Sequence, residues 1–126
     1  MSTFCKRHTV TVTTTTAGTG TAYTPAVTGR VLAIRYVKAA SSSFSDGVDF
    51  DVTLETTGTS VWSESNVNAS CTRYPRVQPH TSAGVAMTYD GTYPIPEYVY
   101  VANERVAIAV SSGGSTTTGT FYVWIG

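Results

Sequence analysis

Cys71 and His80 are the first residues to weigh, because a thiolate beside a base makes a nucleophile when the two lie within hydrogen-bond reach. No motif surrounds Cys71, and a buried structural thiol is the default for such a residue. The two histidines, His8 and His80, do not combine with Cys5 and Cys71 in any zinc-site spacing. Asp46, Asp49, Asp51 and Glu55 could supply the several oxygens that a hard cation requires. Three of them fall along one extended strand, however, at about 6.6 Å per two residues, so they read as a solvated acidic face that can pair with Arg35 or Arg105. The glycines of "AGTG" and "SSGGS" open no helix and therefore form no phosphate-binding loop. The chain is read as a non-enzyme, with no catalytic residue, no metal ligand and no cofactor.

The elements that hold these residues are written in an unusual composition. Charged residues make up only 13% of the 126, against about 25% in ordinary soluble domains. Threonine occupies 23 positions, with the densest run in "TVTVTTTTAGTGT". Such a surface is hydrated through hydroxyls and backbone, or it is partly covered by other protein. Formal net charge is zero. No global field draws the chain to nucleic acid or to an anionic membrane, and neither is expected as a partner. The opening "MSTFCKRHTV" has no apolar run of a signal peptide, which points to synthesis in the cytosol and to reduced Cys5 and Cys71.

Strand signals recur along the whole length. The run 9–16 is almost entirely β-branched, with Val10 and Val12 on one face. Residues 21–24 follow the "AGTG" turn. The segment "GRVLAIRYV" over 29–37 reads as a central strand with Leu32, Ile34 and Tyr36 on one side and Arg35 on the other. In "VDFDVTLETT", Val48, Phe50, Val52 and Leu54 alternate inward. Segments 60–65, 69–74, 98–101, 105–111 and 118–125 complete the set. Trp62 and Trp124 are expected in core positions. Eight or nine short strands without a helix predict an all-β fold, an antiparallel β-sandwich, with a jelly roll among the arrangements that fit.

Residues 73–97, "RYPRVQPHTSAGVAMTYDGTYPIPE", break this rhythm. They hold four of the five prolines and form a long Pro/Tyr-rich excursion. Connections of that length are uncommon in compact domains and are often functional. Arg73, Tyr74, Arg76, Tyr89 and Tyr93 are of the types enriched at protein interfaces. The alternative is an excursion packed on its own sandwich with half-buried tyrosines. At the other end, residues 1–8 read as an N-terminal arm before a single domain over 9–126. Phe4, Lys6, Arg7 and His8 give the arm an apolar and basic character suited to docking on a neighbouring subunit.

The strings "GRVLAIRYV", "PIP" followed by "ERV", and the closing "GTFYVWIG" resemble a family of small virion proteins of tailed bacteriophages, over nearly the whole chain from Thr9 to Gly126. The resemblance implies a capsid decoration or cement protein, made in the host cytoplasm and carried on the virion. It would work as a dimer or trimer, contacting the major capsid protein or other virion proteins. A head–tail connector or tail component is the alternative it leaves open. A host-surface or carbohydrate-binding module, with Trp62 and the loop tyrosines as a stacking platform, is a further one.

Overall fold

The computed structural model describes residues 5–126; Phe4, expected in the arm, lies outside the described residues. Ten strands follow one another: β1 (Lys6–Thr13), β2 (Gly20–Tyr23), β3 (Val27–Lys38), β4 (Asp49–Leu54), β5 (Ser60–Glu64), β6 (Cys71–Arg73), β7 (Arg76–Val77), β8 (Glu97–Glu104), β9 (Val106–Ser111) and β10 (Thr118–Ile125). They form two sheets whose named strand pairs are all antiparallel. The first runs β1-β10-β3-β8-β7, with β6 also on β3, and the second runs β2-β9-β4-β5. The fold is an all-β, sandwich-like pair of layers. Its pairing is nested: β1 with β10, β2 with β9 and β3 with β8.

Alternation sets which side chains enter the space between the layers. Phe50, Val52 and Leu54 of β4 are buried, as their period-two spacing requires. Phe50 lies at the centre of an aromatic cluster, with ring centroids 4.7 Å from Tyr36, 4.9 Å from Phe121 and 5.6 Å from Trp62. Tyr36 and Phe121 come from the first sheet, Phe50 and Trp62 from the second. One residue type makes room for this cluster. A Cβ on Gly119 would stand 2.5 Å from the Phe44 ring, so only glycine fits there in β10.

Several threonines fasten the connections between strands through their hydroxyls. Buried Thr14 donates to the Gly114 carbonyl at 2.7 Å and accepts from the Thr117 N–H at 2.8 Å. Thr24, also buried, accepts from the Val106 N–H at 3.0 Å. Gly114, at φ 85°, makes the turn before β10 that brings its carbonyl to Thr14.

Three expectations are corrected. The first strand starts at Lys6 and ends at Thr13, so Lys6, Arg7 and His8 are ladder residues opposite Ile125, Trp124 and Val123 and not part of a free arm. The cause is β10, whose full length offers hydrogen-bonding partners as far as Ile125. Leu32 does not share a face with Ile34 and Tyr36. A register shift sets Trp124 opposite Ala33 but Ile125 opposite Val31, which makes Leu32 the extra residue of a bulge and puts Val31 in the core instead. Trp124 alternates with buried Val123 and Ile125 and lies half-buried on the outer face, whereas Trp62 is in the core as expected.

Candidate interaction surface

The long excursion leaves the sandwich after β7 and returns at β8, and it is hydrogen-bonded mainly to itself. Thr81 and Met87 N–H groups donate to the Val85 and Pro79 carbonyls, at 2.8 and 2.9 Å. Tyr89 and Ile95 N–H groups donate to Tyr93 and Met87, each at 3.2 Å. Bridges pair His80 with Ala86 and Thr88 with Pro94. The segment thus folds as a small three-pass meander whose middle pass pairs on both sides. Asp90 fastens its tip by accepting from the Thr92 and Tyr93 N–H groups at 2.9 and 2.8 Å, and these bonds hold its carboxyl below the usual aspartate value.

This projection keeps its apolar side chains in water. Among the described residues seven large hydrophobic side chains are exposed, and five of them, Tyr74, Val85, Met87, Tyr89 and Tyr93, belong to residues 73–97. Tyr89 and Tyr93 are 70% and 58% exposed and stack on each other with centroids 5.9 Å apart. The tyrosines are therefore not folded back into the sandwich.

The other expected contact residues are spread over the molecule. Arg73 is an internal clamp: its Nε and Nη2 donate to the two oxygens of Glu64 at 2.7 and 2.8 Å, tying β6 of one sheet to β5 of the other. Those hydrogen bonds lower the Glu64 pKa and raise that of Arg73. Arg76 lies over the Tyr98 ring, 4.1 Å from its centroid, and donates to the Pro75 carbonyl at 2.7 Å. Arg7 lies over Tyr122 at 4.7 Å. Lys6 borders an open groove of about 800 Å³ at one end of the sandwich, with His8, Thr28, Arg30 and Tyr100. Burial lowers the pKa of His8, and nearby Lys6 lowers it further.

The residues weighed for chemistry are also placed. Cys71 is half-buried on β6, and burial pushes its thiol up, away from a reactive thiolate. His80 is exposed on the projection. Of the acidic side chains, Asp46 pairs with Lys38 at 3.8 Å, Asp49 accepts from the Asn66 N–H at 3.0 Å, and Glu55 pairs with Arg105. Arg35, a possible partner for that acidic face, is on the opposite sheet and donates to the Thr72 hydroxyl at 2.9 Å. Trp62 is 8% exposed with its indole N–H on Glu64, so it offers no stacking platform. Among the described residues no helix is long and apolar enough to cross a membrane.

Sequence reasoning missed two groups. Val85 and Met87 carried no signal beyond being apolar in a polar loop. Arg30, Arg35, Tyr98, Tyr122 and Trp124 looked like ordinary strand residues, and only cross-strand register shows that they share one face. Comparisons with protein-family models, with curated proteins and with solved structures find no match.

Proposed function

We propose that this protein is a structural component of a tailed-phage virion, a decoration or cement protein that binds the assembled head and bridges neighbouring capsid subunits. The observation that carries the reading is the 73–97 projection, a hydrogen-bonded meander whose exposed Tyr74, Val85, Met87, Tyr89 and Tyr93 contribute nothing to the core. Its contact to the capsid uses these side chains, while the sandwich serves as a rigid base.

The nested strand order supports a jelly roll in particular. Sheets ordered β1-β10-β3-β8 and β2-β9-β4-β5 are what results when four antiparallel pairs roll up together, with β6 and β7 in one long connection. The protein is made in the host cytoplasm, acts as a dimer or trimer, and performs no catalysis.

Purified protein mixed with undecorated heads tests this. The unaltered chain co-sediments with heads, and Tyr89→Ala/Tyr93→Ala loses at least about tenfold in affinity, since aromatic anchors at an interface are worth about 1.4 kcal/mol or more. Its unfolding free energy stays within about 0.5 kcal/mol, as for surface substitutions generally. A sharp loss of stability with unchanged head binding would mark the two tyrosines as structural. A chain that never binds heads but is found in purified tails would replace decoration by a tail role.

A further inference from the structure

Net charge is zero, but the unpaired cations are not evenly spread. Of the eight Lys and Arg side chains, three form ion pairs, Lys38 with Asp46, Arg73 with Glu64 and Arg105 with Glu55. The remaining five are Lys6, Arg7, Arg30, Arg35 and Arg76, and all lie on the β1-β10-β3-β8-β7 sheet with no carboxylate partner among the described residues.

Register places the four arginines on one face. Arg7 is opposite Trp124, Arg35 opposite Tyr122, Arg30 opposite Tyr100 and Arg76 opposite Tyr98. Their strand neighbours Val31, Ile34, Val99 and Val123 are buried, so these eight side chains face outward. The outer face of the other sheet carries Asp49 and Asp51, between buried Phe50 and Val52. The arginines are therefore on one broad side, where the nearby carboxylate is Glu97, 3.4 Å from the Tyr100 hydroxyl, and Asp49 and Asp51 are on the other.

The arginines are held for recognition. Arg30 and Arg76 lie over the one Tyr98 ring at 4.9 and 4.1 Å, and Arg7 lies over Tyr122 at 4.7 Å. Arg30 Nε also donates to the Gly126 oxygen at 3.2 Å and Arg76 Nη1 to the Pro75 carbonyl at 2.7 Å, so stacking and these bonds fix the guanidinium planes and leave the remaining N–H groups to meet an anion.

We infer that this arginine-and-aromatic face is a docking surface for a carboxylate-rich protein surface. Three features choose that occupant. Guanidinium groups already cover Tyr98 and Tyr122, which removes much of the ring area that unpaired bases would stack on. The chain's own acidic side is a poor alternative, because face-to-back stacking of copies does not close and would run on into filaments. The face spans five strands of two to twelve residues, roughly 19 Å across at standard strand spacing and ~25 Å along at their mean length, or about 500 Å². That is below the ~800 Å² per partner of a typical stable complex, so the face takes part in a weak contact alone and a firm one when the projection beside β7 and β8 adds to it.

The inference deepens the virion reading by naming the chemistry of the surface bound, and the test separates the two. Fluorescein-labelled poly-L-glutamate of about 20 residues serves as the acidic probe, followed by anisotropy and by amide chemical shifts of the labelled protein. Binding at 50 mM NaCl is expected to perturb Arg7, Arg35, Tyr122 and Trp124 and to vanish by about 500 mM, where the screening length is a few ångströms. Arg7→Gln/Arg35→Gln weakens it about tenfold or more, Arg35→Lys keeps an intermediate affinity, and Asp49→Asn/Asp51→Asn leaves it within about twofold.

Retained binding in the double arginine variant, or no binding of the unaltered chain at low salt, would overturn the inference. Tighter binding of a 20-nucleotide oligothymidylate than of polyglutamate would make the face a nucleic-acid surface instead. Concentration-dependent self-association abolished by Asp49→Asn/Asp51→Asn would assign it to a second copy. Heads that fail to bind a chain that does bind polyglutamate would sink the head-decoration reading alone.

Discussion

Glu64 takes three donors on its two oxygens: the Trp62 indole at 3.1 Å and two Arg73 nitrogens at 2.7 and 2.8 Å. The Arg73 hydrogen bonds hold its carboxyl below the ordinary value of 4.5. A lowered folded-state pKa stabilises the fold fully above the unfolded value and loses that contribution as pH falls through the folded one. Glu64→Gln should therefore cost stability at pH 7 and progressively less as the pH drops below 4.5. The Arg73 and Glu64 side chains are 42% and 32% exposed, so the cost at pH 7 is at most about 1 kcal/mol. Urea unfolding of both proteins at pH 7, 4.5 and 3 measures the difference. A gap that stays constant over that range would mean the clamp acts through packing and not through charge. Glu104, buried at the end of β8, accepts from the Thr56 and Thr57 N–H groups at 2.8 and 3.1 Å and closes the β4–β5 turn.

At the scale of elements, the projection and the strands beneath it are separable. Val77 is opposite Glu97 across the β7–β8 pair, so residues 78–96 leave and return at neighbouring points of the sheet. A short hairpin turn can bridge that gap, because the flanking strands are already antiparallel and in register. Replacing 78–96 by Asn-Gly should leave a cooperative fold whose Tm moves by less than about 4 °C, equivalent to about 1 kcal/mol in a chain of this size. Differential scanning calorimetry measures it, and loss of a single cooperative transition would show that the meander carries part of the core. The first strand behaves differently. Lys6, Arg7 and His8 occupy three rungs of the β1–β10 ladder, so trimming residues 1–8 removes sheet and not merely an arm.

On the scale of the whole molecule, nesting makes the ends of the chain interdependent. The first strand pairs with the last, and β10 lies between β1 and β3 while contributing Phe121 and Val123 to the core. Contacts of such sequence separation close large loops before they return stability, so folding should take milliseconds to seconds and not microseconds. Stopped-flow refolding followed by tryptophan fluorescence measures that rate. A chain ending before Thr118 should lack near-ultraviolet circular dichroism, since Tyr36 and Phe50 lose the ring packed between them and the Gly119 backbone. A native-like spectrum from that truncation would mean the other strands form a core without β10.

The alternation of Phe50, Val52 and Leu54, the β-branched run through Val10 and Val12, and the turn at Gly114 were legible in the sequence, because period and turn chemistry are local properties of the backbone. So was the 73–97 excursion, whose prolines and tyrosines do not fit a strand. The bulge at Leu32 was not legible. It exists because β3 must match β10 on one edge and both β6 and β8 on the other, and nothing within "GRVLAIRYV" encodes that demand. Nor could the sequence say that Arg73 is spent on Glu64 while Arg7, Arg30, Arg35 and Arg76 pair with no side-chain carboxylate among the described residues, since those pairings depend on strands far apart in the chain. The sequence by itself determined strand content, core alternation and the place of the projection. Only the tertiary structure decided which side chains share a face, because a face is made by register between strands, and register is fixed when the whole sandwich closes.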